Sequence, residues 1–194
     1  MTREKLKKIK LAAGCCVLVL MAAFLIYANI SEIKKGNATN RTVAGSTYRD
    51  LTYFSDFTLK TFDGDDFSNS EFEGYDVIVV NVWEPWCTSC LKEMPELNEL
   101  AEEYREKGLL LIEVQGTAFT EPDDVQLGYE SVEPLNITMP MLLADERFSE
   151  EVLPYINNAF PGTWVLDSEG NVLDYAASAK SKDAWAAYFD GFLD

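Results

Sequence analysis

Cys87 and Cys90 stand three residues apart in Trp86-Cys87-Thr88-Ser89-Cys90, where the apolar run Val77-Ile78-Val79-Val80 gives way to a helical pattern. Positions i and i+3 share one face of a helix. The two Cα atoms then fall in the window of roughly 4.4–6.8 Å that a disulfide needs. Such a pair can close a disulfide and can exchange it. Cys87 comes first, at the helix start, where unpaired N–H groups and the positive end of the dipole favour a thiolate. The thiolate is the attacking species, so Cys87 is the expected nucleophile. Cys90, one turn inside and less exposed, is the expected resolving thiol.

The rest of the composition leaves few rivals for this chemistry. The chain has no histidine, which excludes Ser-His and Cys-His nucleophile pairs and histidine-ligated metals. The other two cysteines, Cys15 and Cys16, lie in an apolar stretch and read as inert packing. A structural zinc wants four Cys or His ligands, and one pair supplies half of them. No metal and no cofactor is therefore expected. An inert disulfide closing so short a loop would stabilise little.

The elements that must position the pair follow from periodicity. Residues 57–60 and 66–67 flank the turn signal Asp63-Gly64 and predict a small hairpin. Residues 75–82 and 109–114 read as buried strands. Residues 88–107 predict a helix, with Leu91, Met94, Leu97, Leu100, Ala101 and Tyr104 on one face, Gly108 as its stop and Pro95 as a kink. Residues 116–137 are acidic and mixed, a loop with some helix. Residues 139–143 predict a short strand, and 147–156 a short helix disturbed by Pro154. A second hairpin, 163–166 and 172–175, surrounds Ser168-Glu169-Gly170-Asn171. A last helix spans 182–193, with Ser181 as N-cap. Strands alternating with helices indicate a layered α/β domain.

The N-terminal part differs. Residues 11–30 are uncharged and largely apolar, long enough to span a bilayer. Arg3, Lys5, Lys7, Lys8 and Lys10 precede them, which predicts a cytoplasmic start and an outward-facing remainder. A cleaved signal peptide is the alternative, with an unusually long apolar core. The expected organisation is a basic segment 1–10, a membrane anchor 11–30, a linker 31–50 and one domain 51–194. Residues 1–35 hold seven bases and two acids, and the remainder nine bases and 31 acids. So acidic a domain repels phosphate backbones, which excludes nucleic-acid binding.

The run Asn81-Val82-Trp83-Glu84-Pro85-Trp86-Cys87-Thr88-Ser89-Cys90-Leu91-Lys92-Glu93-Met94-Pro95 resembles the membrane-tethered, thioredoxin-like TlpA/ResA group. So does Phe160-Pro161-Gly162-Thr163-Trp164-Val165-Leu166-Asp167, far downstream. The resemblance covers about residues 51–194 and implies a thioredoxin-like fold, a central mixed β-sheet flanked by helices. It implies that Pro161 is a cis-proline beside the sulfurs, and that Phe160 offers backbone N–H and C=O groups to a substrate chain. Glu93 matches the acid that this group carries near its cysteines. If partly buried, it could shuttle the Cys90 proton; the alternative is a solvated acid that suits the helix dipole. Asn81 takes the strand position where thioredoxins often hold a buried acid. Trp83 is expected to pack and Trp86 to form an apolar rim. Thr88-Ser89 and Gly162 depart from the group's commoner residues.

The resemblance implies an extracytoplasmic thiol-disulfide oxidoreductase with protein disulfides as substrates and a membrane-embedded thiol carrier as electron donor. Some members of the group reduce apocytochrome c before haem attachment. Glu84, Glu93 and Glu96 lie close in sequence, and negative charge disfavours the thiolate. That leans toward a reductase. A thiol oxidase or isomerase, a thiol peroxidase of the same fold and a redox-inert binding module stay open.

Overall fold

The computed structural model describes residues 42, 43 and 46–193. The expected basic segment 1–10, the anchor 11–30 and most of the linker lie outside the described residues. Among those described, no helix is long and apolar enough to cross a membrane.

A two-residue ladder, β1 (Thr42–Val43) with β2 (Ser46–Thr47), opens the described chain. The hairpin of β3 (Thr58–Thr61) and β4 (Asp66–Ser68) follows. Next come β5 (Val77–Trp83), α1 (Thr88–Arg105) and β6 (Leu109–Gln115). The remainder is α2 (Asp123–Val132), β7 (Met141–Leu143), α3 (Glu146–Glu151), α4 (Leu153–Ile156), β8 (Gly162–Asp167), β9 (Val172–Ala177) and α5 (Lys182–Phe189). Seven strands form one sheet in the order β4-β3-β7-β6-β5-β8-β9. β5, β6 and β7 run parallel, while β3 and β8 join them antiparallel.

β5 and β6 are buried at every position because both sheet faces are covered, which is why their sequences read as apolar runs. Val77, Val79 and Trp83 of β5 face the layer containing α1 and α5. Ile78, Val80 and Val82 face the opposite core, built with Tyr53, Phe54, Phe57, Phe148 and Trp164. Tyr53 meets both Phe54 and Phe148 edge-on, at 5.4 Å between centroids in each case, a favoured arrangement of aromatic rings.

Several boundaries differ from the sequence reading. α1 runs through Pro95 as one helix, as expected, with Met94 and Leu97 anchored in the layer beneath, but it ends at Arg105 and not at 107. The helix expected at 147–156 is two, with Pro154 in the first turn of the second, where a missing N–H costs little. The last helix ends at Phe189, with Gly191 two residues on. The expected linker ends before residue 50. Tyr48 is buried against the Tyr175 ring at 5.9 Å, and Arg49 Nη1 donates to the Leu173 carbonyl at 2.7 Å. The polar residues around it hid this aromatic anchor.

α5 is strapped to α1. Tyr104 Oη donates to Asp190 at 2.7 Å, and Lys182 Nζ reaches Glu99 and Glu103 at 2.8 and 2.6 Å. Glu96 accepts from the Lys182 backbone N–H at 2.7 Å, at the α5 N-terminus. The β8–β9 turn packs as tightly. Gly170 has φ +83°, and a Cβ there would lie 2.4 Å from the Phe54 carbonyl oxygen. Gly170→Ala is expected to cost about 2–3 kcal/mol in urea unfolding; a loss below about 0.5 kcal/mol would mean that the turn relaxes freely.

Candidate active site

Cys87 leaves the carboxyl end of β5 and caps α1. Its backbone is extended, and its sulfur accepts from the Cys90 N–H at 3.2 Å. The two cysteines form a disulfide with Cα atoms 5.3 Å apart. Both cysteines are buried, but Cys87 at 6% exposure is more open than Cys90 at 1%. Ser89 Oγ lies 3.4 Å from Cys87 Sγ. The residue types between the cysteines thus leave one hydroxyl beside the outer sulfur.

The register brings the distant motif to this end of the sheet. Val82 pairs with Gly162, so Pro161 enters β8 beside the end of β5. The Phe160–Pro161 peptide is cis. Phe160 is partly buried against the cluster that holds both cysteines. Its ring meets Trp86 edge-on at 5.4 Å, and Trp86 is 54% exposed. Neither the N–H nor the C=O of Phe160 has a hydrogen-bond partner among the described residues. Trp83, in contrast, is fully enclosed.

Glu93 is buried, not the solvated first-turn acid of the alternative reading. Its carboxyl gathers three donors from separate elements. Asn81 Nδ2 of β5 donates to Oε1 at 3.3 Å, while the Lys180 backbone N–H and Trp185 Nε1 each donate to Oε2 at 2.9 Å. Burial raises its pKa, and the three donors pull the other way without cancelling that effect. Lys180 stands over the Trp185 ring at 4.6 Å, and its pKa is lowered by burial against the pull of Glu93. A cleft of about 370 Å³ opens over Glu93, lined by Ser89, Lys92, Glu96, Ala179, Lys180 and Ser181.

Two further acids escaped the sequence reading as structural participants. Glu84, in the loop before the motif, is fully buried. It accepts from the Thr117 N–H at 2.7 Å and the Thr117 hydroxyl at 2.6 Å, and its own carbonyl accepts from the Cys87 N–H at 3.0 Å. Burial pushes its pKa up to about 7, against the two Thr117 bonds. Glu113 of β6 is buried as well. A signal existed for it: an acid inside the apolar run Leu109–Gln115. Burial thus acts in the same direction on the two acids nearest the motif, raising the pKa of both Glu84 and Glu93.

A disulfide-bonded cysteine pair at a helix start, its first member the less buried, on a thioredoxin-like α/β sheet with a cis-proline and a buried acid, defines a thiol-disulfide oxidoreductase. The chain belongs to the AhpC/TSA family, which matches residues 52–175. It is 28% identical over 170 residues to thiol-disulfide oxidoreductase ResA of Geobacillus kaustophilus, covering 86% of each chain. It is also 28% identical over 127 residues to thioredoxin-like protein YneN of Bacillus subtilis, covering 66% of this chain and 71% of that one. Among solved structures, MTB dsbF superposes with a TM-score of 0.57 at 26% identity, over 71% of this chain and 96% of that one. StoA of Bacillus subtilis shares the fold, with a TM-score of 0.56 at 18% identity over 71% of this chain and 98% of that one.

The buried Glu84 generates a pH dependence. Its folded pKa lies above its ordinary value, so the folded state holds the proton more tightly and stability falls as pH rises from about 4.5 to about 7. That contribution is about 3 kcal/mol. Glu84→Gln is expected to make the decline in unfolding free energy between pH 5 and 8 shallower; an unchanged slope would remove Glu84 as its source.

Proposed function

We propose that this protein is a membrane-anchored, extracytoplasmic reductase of protein disulfides. The observation that carries this reading is the unequal burial of the two sulfurs beside the exposed Trp86 and the unpaired Phe160 backbone. A substrate chain adds to Phe160 as an extra strand, and Trp86 supplies an apolar platform. Cys87 thiolate attacks the substrate disulfide, forms a mixed disulfide and expels one substrate thiolate. Cys90 then gives its proton to Glu93 and attacks Cys87 Sγ, releasing the second substrate thiolate and leaving the Cys87–Cys90 disulfide. Two electrons pass from the protein to the substrate, and a membrane thiol carrier restores them.

The direction follows from what stabilises the thiolate. Cys87 has the α1 terminus and the Cys90 N–H, whereas Lys180, a cation beside the motif, is engaged with Glu93 and the Trp185 ring. A strong oxidant needs a more strongly stabilised reduced form. Peroxide chemistry is disfavoured by the positions of the described arginines. Arg49 binds the Leu173 carbonyl, Arg147 pairs with Glu151, and Arg105 ends α1. The outward placement rests on the apolar run 11–30 and the basic residues before it.

The reading is tested by the reduction potential of the Cys87–Cys90 pair. A value near or below about −250 mV is expected, and one near about −120 mV would make the protein an oxidant. Cys87→Ser is expected to abolish insulin reduction, and Cys90→Ser to accumulate mixed disulfides through Cys87. Glu93→Gln is expected to slow the resolving step about 100-fold. An unchanged rate would return Glu93 to a purely structural role.

A further inference from the structure

Three polar side chains lie at one level on the α1 side of the sheet. Thr163 of β8, Asn81 of β5 and Glu113 of β6 are register partners, so they leave the sheet on the same face. All three are buried, among neighbours that are otherwise apolar: Val79, Leu111 and Val165. Asn81 uses Nδ2 to reach Glu93, but its Oδ1 has no donor among the described residues. Both carboxyl oxygens of Glu113 lack a partner too, as does Thr163 Oγ1. Buried polar groups are nearly always paired, and an ionised carboxylate without a donor is the costliest exception. A protonated carboxyl changes the arithmetic, because it adds one O–H donor to this group of unpaired polar atoms. Asn81 stands opposite on the adjacent strand, about 4.8 Å away between backbones.

We propose that Glu113 is a positioning residue of the exchange reaction: a neutral acid whose hydroxyl donates to Asn81 Oδ1 and so holds the Asn81 amide with Nδ2–H aimed at Glu93. The proposal rests on the reading of Glu93 as the base that takes the Cys90 proton. It gives Asn81, itself uncharged, a definite part in that step. The amide carries no proton between the acids; it only fixes which of its ends meets which carboxyl.

The surroundings agree. Glu93 of α1 acts on Glu113 through its charge, and Asn81 and Met141 flank Glu113 on the neighbouring strands. Lys180 and Trp185 are committed to Glu93. Burial first, and then the like charge of Glu93, push the Glu113 carboxyl well above the ordinary range. Among the described residues Glu93 has three donors and Glu113 none, so the negative charge of the pair resides on Glu93 and the retained proton on Glu113.

The test uses the full chain in detergent micelles. The infrared spectrum of wild type minus Glu113→Gln at pH 7 is expected to contain the C=O stretch of a protonated carboxyl. Its absence would overturn the proposal, whatever the exchange activity. The pH profile of the resolving step supplies the functional arm. E113Q keeps an N–H donor for Asn81 Oδ1 and is expected to retain the wild-type midpoint. Glu113→Leu keeps similar volume without a donor and is expected to raise the midpoint by about one unit. Asn81→Ala removes the donor to Glu93 itself and should raise the midpoint likewise, with no further rise in the double variant. A purely structural Glu113 would change the unfolding midpoint but not the pH midpoint. Equal shifts in E113Q and E113L, or none in either, would sink the proposal. A wild-type chain without disulfide exchange would instead refute the underlying function, while the infrared arm still reports the proton on Glu113.

Discussion

The carboxyl group of Glu93 is where the separate parts of this molecule meet. It projects from α1, one turn beyond Cys90, and is grasped by β5 through Asn81, by the approach to α5 through the Lys180 backbone and by α5 itself through Trp185. Hydrogen bonds to a charged group contribute about 1.5–3 kcal/mol each, while burying that charge costs several. Burial wins, so the pKa of the acid is raised even while its three donors hold the carboxyl in place. The straps between α1 and α5, Lys182 with Glu99 and Glu103 and Tyr104 with Asp190, keep these donors in place.

The contrast with Glu84 and Glu113 shows how local donors divide labour among buried acids. Glu84 has two donors from Thr117 and sits near neutrality, tying the loop before Cys87 to the loop after β6. Glu113 has no donor among the described residues, and burial pushes its pKa well above the ordinary value. Glu93 has three. Burial acts on all of them in the same direction, and the count of donors separates them.

Much of the fold was legible because its signals are local. β5 and β6 announce themselves as apolar runs, α1 by an apolar stripe and a glycine stop, and the β8–β9 hairpin by its turn residues. The cysteine pair was legible for the same reason, since its chemistry depends on a spacing of three. Pro161 and Phe160 needed the resemblance, because nothing near them in sequence points to sulfur. The environment of Glu93 was hidden more deeply: Lys180 and Trp185 lie about ninety positions away and carry no motif. Tyr48 was missed because one aromatic residue in a polar stretch has no periodicity to betray it. Glu113 did leave a mark, an acid in an apolar strand, but reading it required knowing which strand lay beside it.

The cleft over Glu93 has a consequence for traffic through the site. Its walls are Ser89, Lys92, Glu96 and residues 179–181, whereas Trp86, Phe160 and Pro161 take no part in lining it. On the proposed reading, the aromatic rim that would seat a partner and the opening over the acid are different parts of the surface, so covering the one would leave the other open to solvent.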